Sequence, residues 1–258
     1  MARSITLSTA SQLLAAVIGI SICVQASAQL FSDNFDAGPS PLWGNEIGNW
    51  GGLGVYSAAA QSNFPATAST LPFVLLDSTL ECDVIGATDG GIWLRSEAAP
   101  GTAIGRKGVL LVTGGATGTG TGFYWHVIPD GNSYGAGLAS VSGLFASGTT
   151  IHIRVVVLGD TYSVFLNGSK VPSSTLIDGT FASGRVGLYD FSSQVFDNVV
   201  LDGQCTTPPE DLNCDGTING VDLAIVLGNW GQRGGTGDVN SNGLVDGTDL
   251  AIVLGNWS

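Results

Sequence analysis

One segment of this chain is written twice. The twelve residues from Asp211 to Asp222 return, with the same polar positions, as Asp238 to Asp249, and each copy runs on into an identical Leu-Ala-Ile-Val-Leu-Gly-Asn-Trp that ends at Trp230 or Trp257. A unit repeated at so short a spacing is too small to bury an apolar face alone, so the two copies must close one small core between them. Each has the same plan, a loop of alternating Asp and Asn around a glycine followed by one apolar run.

Hard divalent cations such as calcium take six to eight oxygen ligands, and a loop of about 12 residues supplies them at alternate positions around a turn-forming glycine. In the first copy the oxygens would come from Asp211, Asn213, Asp215, Asn219 and Asp222, with the Thr217 carbonyl and with Gly216 at the turn. In the second the set is Asp238, Asn240, Asn242, Asp246 and Asp249, with the Leu244 carbonyl and Gly243. Two calcium ions are therefore expected. Each apolar run is predicted to make a short helix ended by Gly228 or Gly255, marginal without its neighbour and its ion.

Those residues carry a resemblance: Asp211 to Trp257 looks like a type I dockerin, two half EF-hands of loop plus helix, including the Asp rather than Glu that closes each loop. The resemblance implies a calcium-dependent docking module over 211–258 and a cohesin-like protein partner. In cellulosomal members recognition centres on the tenth and eleventh loop positions, which here read Gly220-Val221 and Gly247-Thr248.

Ahead of the repeat, residues 1–28 read as a signal peptide. Arg3 supplies the charge, Leu13 to Val24 is a short apolar core, and Ala26-Ser-Ala28 is an A-x-A site, so the exported chain is expected to begin at Gln29. The formal net charge of −13 with only 8 Lys plus Arg argues against an electrostatic grip on nucleic acid or on anionic lipid. Residues 204–210, containing Pro208-Pro209, read as a linker. Cys205 and Cys214 flank those prolines and could close a short loop, whereas Cys82 alternates with Leu80 and Val84 on one strand face and reads as a buried small hydrophobe.

Between residues 29 and 203 the apolar period is two. Ile151, Ile153, Val155 and Val157 share one face while His152 and Arg154 take the other. Gly159-Asp160 and Asn167-Gly168 read as hairpin turns. Similar runs at Phe73–Ile85, Gly91–Arg95, Lys107–Val112, Gly122–Ile128, Gly184–Tyr189 and Val195–Leu201 predict a mainly β, antiparallel two-sheet sandwich. Phe31 to Asp36, Asp89 to Arg95, Tyr162 to Asn167, Gly187 to Asp190 and Phe196 to Val199 resemble a concanavalin A-like jelly roll, most similar to laminin G-like and 3-keto-disaccharide hydrolase-like secreted domains. That resemblance implies a polysaccharide or glycan as partner.

Related laminarinase-type glucanases carry a Glu-x-Asp-x-Glu strand. Glu81-Cys-Asp83-Val-Ile85 is the nearest match and lacks the third carboxylate, so Glu81 and Asp83 are the catalytic candidates of an alternative reading as a glycoside hydrolase. Neither His126 nor His152 has a visible nucleophilic partner, and 115–122 is a glycine-rich connection with no following lysine. Saccharides are held by aromatic platforms and planar hydrogen-bonding groups, which makes Trp93 and Arg95, sharing a strand face by alternation, and Tyr124 with His126 the expected carbohydrate-binding residues. The expectation is a secreted binding protein whose sandwich takes a polysaccharide.

Overall fold

The computed structural model describes residues 29–97, 106–114, 121–192, 194–205, 208–234, 237–240 and 242–258. The expected signal peptide and its cleavage site lie outside them, as do residues 115–120 of the glycine-rich connection and residues 206–207 of the expected linker.

Strict alternation of branched and polar side chains makes extended segments, because successive residues point to opposite faces and only one face can be buried. The strands are β1 (Gln29–Asp33), β2 (Trp50–Gly51), β3 (Ser57–Ala58), β4 (Ser69–Thr70), β5 (Leu75–Ile85), β6 (Gly90–Ser96), β7 (Gly108–Val112), β8 (Phe123–Ile128), β9 (Leu138–Val141), β10 (Ile151–Leu158), β11 (Thr161–Leu166), β12 (Ser169–Lys170), β13 (Leu176–Ile177), β14 (Arg185–Asp190) and β15 (Val195–Cys205). They form two antiparallel sheets. The first runs β1-β15-β5-β10-β11-β12 with β13 also on β11, and the second runs β4-β14-β6-β7-β8-β9; β2 and β3 pair separately.

Register puts the apolar sets on one level. Ile151, Ile153 and Val155 of β10 stand opposite Val84, Cys82 and Leu80 of β5, and Ile92 and Leu94 of β6 stand opposite Leu111 and Val109 of β7. These side chains, with Trp125, Tyr162, Val164, Leu188 and Phe196, are one buried cluster between the sheets. Free Cys82 lies inside it, fully buried, and burial raises its thiol to about 12, so it is a packing residue with no thiolate to offer. The hairpin at Asn167-Gly168 has both residues at positive φ, the geometry that matches strand twist. The Phe31–Asp36 motif is structural as well. Phe31 and Phe35 join the core, and Asp33 accepts hydrogen bonds from the main-chain N–H groups of Phe35 and Ser40 and from the Trp43 indole.

The repeats form α1 (Gly220–Gly228) and α2 (Gly247–Gly255), nine residues each, longer than the single turn or so that the apolar runs predict. Their extra length comes from the loop. In each, the ninth loop residue caps the helix and the twelfth bonds back to it: Asn219 accepts from Val221 N while Asp222 accepts from Asn219 N, and Asp246 with Asp249 repeats the box. Ile218, Val226, Val245 and Val253 close the joint core. Cys205 and Cys214 form a disulfide with Cα atoms 5.4 Å apart. Cys214 is buried against the sandwich core, and its carbonyl accepts from Val74 N at 3.0 Å. Among the described residues no helix is long and apolar enough to cross a membrane.

Candidate functional site

The outer face of the second sheet is where sequence alternation places Trp93, Tyr124 and His126. It is not bare. Trp93 is fully buried in a minor core with Ala66, Ala68, Leu110, Val112, Ile128 and Tyr189, and its indole donates to the Thr67 carbonyl at 3.1 Å. Segments flanking Ala66 and Tyr134 therefore make a third layer over the sheet. Trp93 is a packing residue, which corrects the expectation that it offers an open platform.

Nor does Arg95 share that face. Between β6 and β14 the register places Leu94 and Arg95 against the single residue Val186, and Arg95 has a φ of 45°, a bulge that resets the alternation. The Arg95 guanidinium turns to the edge between the sheets. It donates to the carbonyls of Leu76, Gly159 and Phe181 and packs 5.5 Å from the centre of the Tyr162 ring. This is a buried cation satisfied by main-chain acceptors, a device that ties β5 to two loops.

Tyr124 and His126 remain on the outer face, half-buried, with ring centres 5.1 Å apart. Sequence reasoning missed their two neighbours. Tyr134 lies 5.0 Å from His126, and Phe64, 61% exposed, meets Tyr134 edge-on at 5.6 Å. Both sit on loops, where no period marks a ring as outward. The Tyr134 hydroxyl donates to the Asn63 carbonyl, fixing the two loops together. Burial holds His126 below its ordinary value, so the imidazole is neutral near pH 7, and burial lifts Asp89 above the usual carboxylate range and the Tyr124 phenol to about 12. The patch thus presents aromatic edges, with the neutral imidazole of His126 and the Tyr124 phenol as hydrogen-bonding groups.

Glu81 and Asp83 lie on the outer face of the first sheet. His152 reaches both, with Nδ1 2.8 Å from Asp83 Oδ1 and Nε2 3.4 Å from Glu81 Oε2. Arg154 approaches Glu81 at 3.6 Å, and Asn198 donates to Asp83 at 2.9 Å. These are cross-strand pairs between β5, β10 and β15. Both carboxylates stand on a strand face, Glu81 engaged by the His152 ring and the Arg154 guanidinium and Asp83 by the His152 ring and the Asn198 amide.

In the repeats, equivalent side chains do equivalent work. Asp211 accepts from Asp215 N and Gly216 N, and Asp238 from Asn242 N and Gly243 N. Asp215 accepts from Thr217 N and Asn242 from Leu244 N. Asn213 and Asn240 accept from the main chain two residues on. Asp222 closes the first loop by accepting from Leu212, Asn213 and Asn219, and Asp249 closes the second by accepting from Asn240 and Asp246. Gly216 and Gly243 sit at φ of 89° and 92°, where a side chain would be strained. Among the described residues no three His, Cys, Asp or Glu side chains converge as a metal cluster. The donor set nonetheless suits a hard cation, because it consists entirely of oxygens and each ionised carboxylate keeps lone pairs beyond those its N–H partners use.

No protein-family model and no curated protein matches the chain. Among solved structures it is similar to the carbohydrate binding module CBM66 from Bacillus subtilis, at 18% identity over 66% of this chain and 94% of that one, with a TM-score of 0.39. It is similar to a protein of unknown function with a galectin-like fold from Bacillus subtilis, at 9% identity over 69% and 97%, with a TM-score of 0.48. It is also similar to the VIP36 exoplasmic/lumenal domain in a Ca2+/Man3GlcNAc-bound form, at 10% identity over 70% and 92%, with a TM-score of 0.43. Likenesses this distant assign no role to any residue here.

Proposed function

We propose that the chain is an exported, non-catalytic saccharide-binding protein in which the outer-face aromatic patch takes a neutral glycan. The observation that carries this is the half-open cluster in which Tyr124 and His126 of β8 meet Tyr134 and Phe64 from two loops that the Tyr134 hydroxyl ties together. A pyranose has an apolar C–H face that suits such rings and a rim of hydroxyls that suits neutral donors and acceptors. Against a hydrolase stands the engagement of Glu81 and Asp83 by His152, Arg154 and Asn198. Screening residues 29–258 on a glycan array, with Phe64→Ala beside it, tests the reading. Binding should weaken by roughly tenfold or more while the melting midpoint stays put, because Phe64 is exposed. A release of reducing ends from any bound glycan would replace the reading by the glycosidase alternative.

The repeats are proposed to bind two calcium ions and to serve as an attachment module. Asp211, Asn213, Asp215, Asn219, Asp222 and the Thr217 carbonyl would hold one, and Asp238, Asn240, Asn242, Asp246, Asp249 and the Leu244 carbonyl the other. When bound, such an ion neutralises the crowded carboxylates. The chain's own contribution is the net of main-chain bonds that already draws each loop around its glycine. Leu227, Trp230, Leu254 and Trp257, each about half exposed at equivalent places in the two units, supply an apolar surface for a protein partner.

A further inference from the structure

The chain has only eight Lys and Arg residues, and four of them, Arg95, Arg106, Lys107 and Arg185, gather at one end of the sandwich. There the end of β6 meets the starts of β7 and β14, and a cleft of about 330 Å³ opens between Ser96, Glu97, Lys107, Phe181, Ser183 and Arg185. Three carboxylates accompany the four cations. Asp77 lies 3.8 Å from Arg95, Glu46 3.3 Å from Arg106 and Glu97 3.7 Å from Lys107. Arg185 is left over. Among the described residues its guanidinium has no ion pair, and its Nε is buried without a hydrogen-bond partner. Residues 98–105, which connect β6 to β7, read Ala-Ala-Pro-Gly-Thr-Ala-Ile-Gly and hold no acidic side chain that could supply one.

An unpaired guanidinium beside a buried second one is costly, and Arg106, wholly buried over the Trp93 ring, feels the charge of Arg185 as repulsion. An arriving anion relieves both. We infer that this cleft is a binding subsite for the carboxylate of an acidic sugar, a hexuronate residue, gripped by Arg185 and Lys107. Arg185 offers the planar fork that fits a carboxylate with two parallel bonds, and Lys107, partly exposed and 3.7 Å from Glu97, adds a point charge at the mouth that it shares with that carboxylate. Ser183 lines the wall where ring hydroxyls would lie, and half-buried Phe181 gives an apolar surface for the ring. Arg95 is excluded from the grip because main-chain carbonyls occupy it. The cleft volume suits a ligand of one or two sugar rings. Taking the carrier of the anion to be a sugar rests on the saccharide-binding reading; the anion preference rests on the cations alone.

Calorimetric titration of residues 29–258 with sodium galacturonate, galactose and sodium acetate separates these layers. Galacturonate should bind, galactose should bind at least about tenfold more weakly at this cleft, and the difference should shrink as sodium chloride is raised. Arg185→Gln should lower galacturonate affinity at least about tenfold, Arg185→Lys should restore part of it, and Lys170→Gln, an exposed cation of β12 away from the cleft, should leave it unchanged. Acetate binding as tightly as galacturonate would keep the anion site and refute the sugar. Equal affinity of wild type and Arg185→Gln, with both folded by circular dichroism, would overturn the inference, as would an absence of galacturonate binding. Either of those results leaves the neutral-glycan patch standing, since that patch is read out by Phe64→Ala on the array.

Discussion

The sandwich and the repeats solve the same folding problem by opposite means. Between the sheets lie more than thirty buried hydrophobic side chains, with Trp125 and Tyr162 meeting ring to ring at 5.7 Å across the gap. The repeats bury four, with four more partly buried against them. A core that small cannot offset the ordering of about 47 residues at roughly 1 to 2 kcal/mol each. The repeats depend instead on polar closure, since nearly every Asp and Asn of the two loops accepts a main-chain hydrogen bond. One unit has a further support. Cys214 of the first loop is tied to β15 and buried against the sandwich, whereas the second loop has Ser241 at the equivalent place. Stability in the sandwich is thus a matter of volume, and in the repeats a matter of capping, ion and staple.

The largest expected effect breaks the volume side of that contrast. Trp93→Ala empties the centre of the minor core and strands the Thr67 carbonyl, so chemical denaturation of the chain should show a loss of about 3 to 5 kcal/mol. A loss below about 1 kcal/mol would mean that the third layer over the second sheet is not packed.

A buried carboxylate makes the sandwich sensitive to pH in a sense opposite to that of a salt-bridged one. Asp190 is fully buried, its carboxylate accepting, among the described residues, from Ala58 N and Ser192 N, and burial raises it from its ordinary value to about 7. Because the folded value lies above the unfolded one, the native state holds a proton through the window between about pH 4 and 7 that the unfolded chain has released. The stabilisation is complete below the unfolded value and is lost as pH rises through about 7, a change of at most about 4 kcal/mol. Asp190→Asn should flatten this fall in melting midpoint between pH 5 and 8, and an unchanged slope would assign it to another group.

How much of this was legible follows from which interactions are local. The period of two in β10 and the Asn167-Gly168 turn announce themselves within a few residues, and the sandwich follows from repeating that reading. The duplicated loops are equally plain. Trp93 and Arg95 were not, for a physical reason. Trp93 is buried by segments around Ala66 and Tyr134, distant in sequence, and Arg95 is turned by a bulge defined by the partner strand β14, so alternation along β6 carries no trace of either. Phe64 and the unpaired Arg185 are visible only once four or five distant segments have met. The double duty of Asn219 and Asp222 as capping box was readable from spacing and was masked by reading them as ligands alone.

The staple sharpens the comparison between the repeats themselves. Free calcium at about 100 times its dissociation constant should add roughly 2.7 kcal/mol per site. Hydrogen exchange of residues 208–258 should show both helices protected in calcium. In chelator the second loop should open first, because the first remains held by Cys205–Cys214. Asp249→Ala should therefore cost more helicity than Asp222→Ala when calcium is removed. Equal exchange in chelator and in calcium would refute the linkage between ion and fold.

The smallest effect belongs to neighbours that differ only in direction. Val226 and Val253 are wholly buried between the helices, while Leu227 and Leu254, one residue on, are 53% and 50% exposed. In a helix that step is a turn of about 100°, enough to move a side chain from the shared core to solvent. Val226→Ala should cost about 1 to 2 kcal/mol, since so small a core cannot close over the gap. Leu227→Ser and Leu254→Ser should change stability by less than about 0.5 kcal/mol, and by the same amount as each other. If either serine variant instead destabilises the repeats by as much as Val226→Ala, the exposed leucines are part of the core and the surface they form is not available to a partner. If both are neutral, any loss of partner capture they cause is a property of the surface itself, because the fold beneath it has not moved.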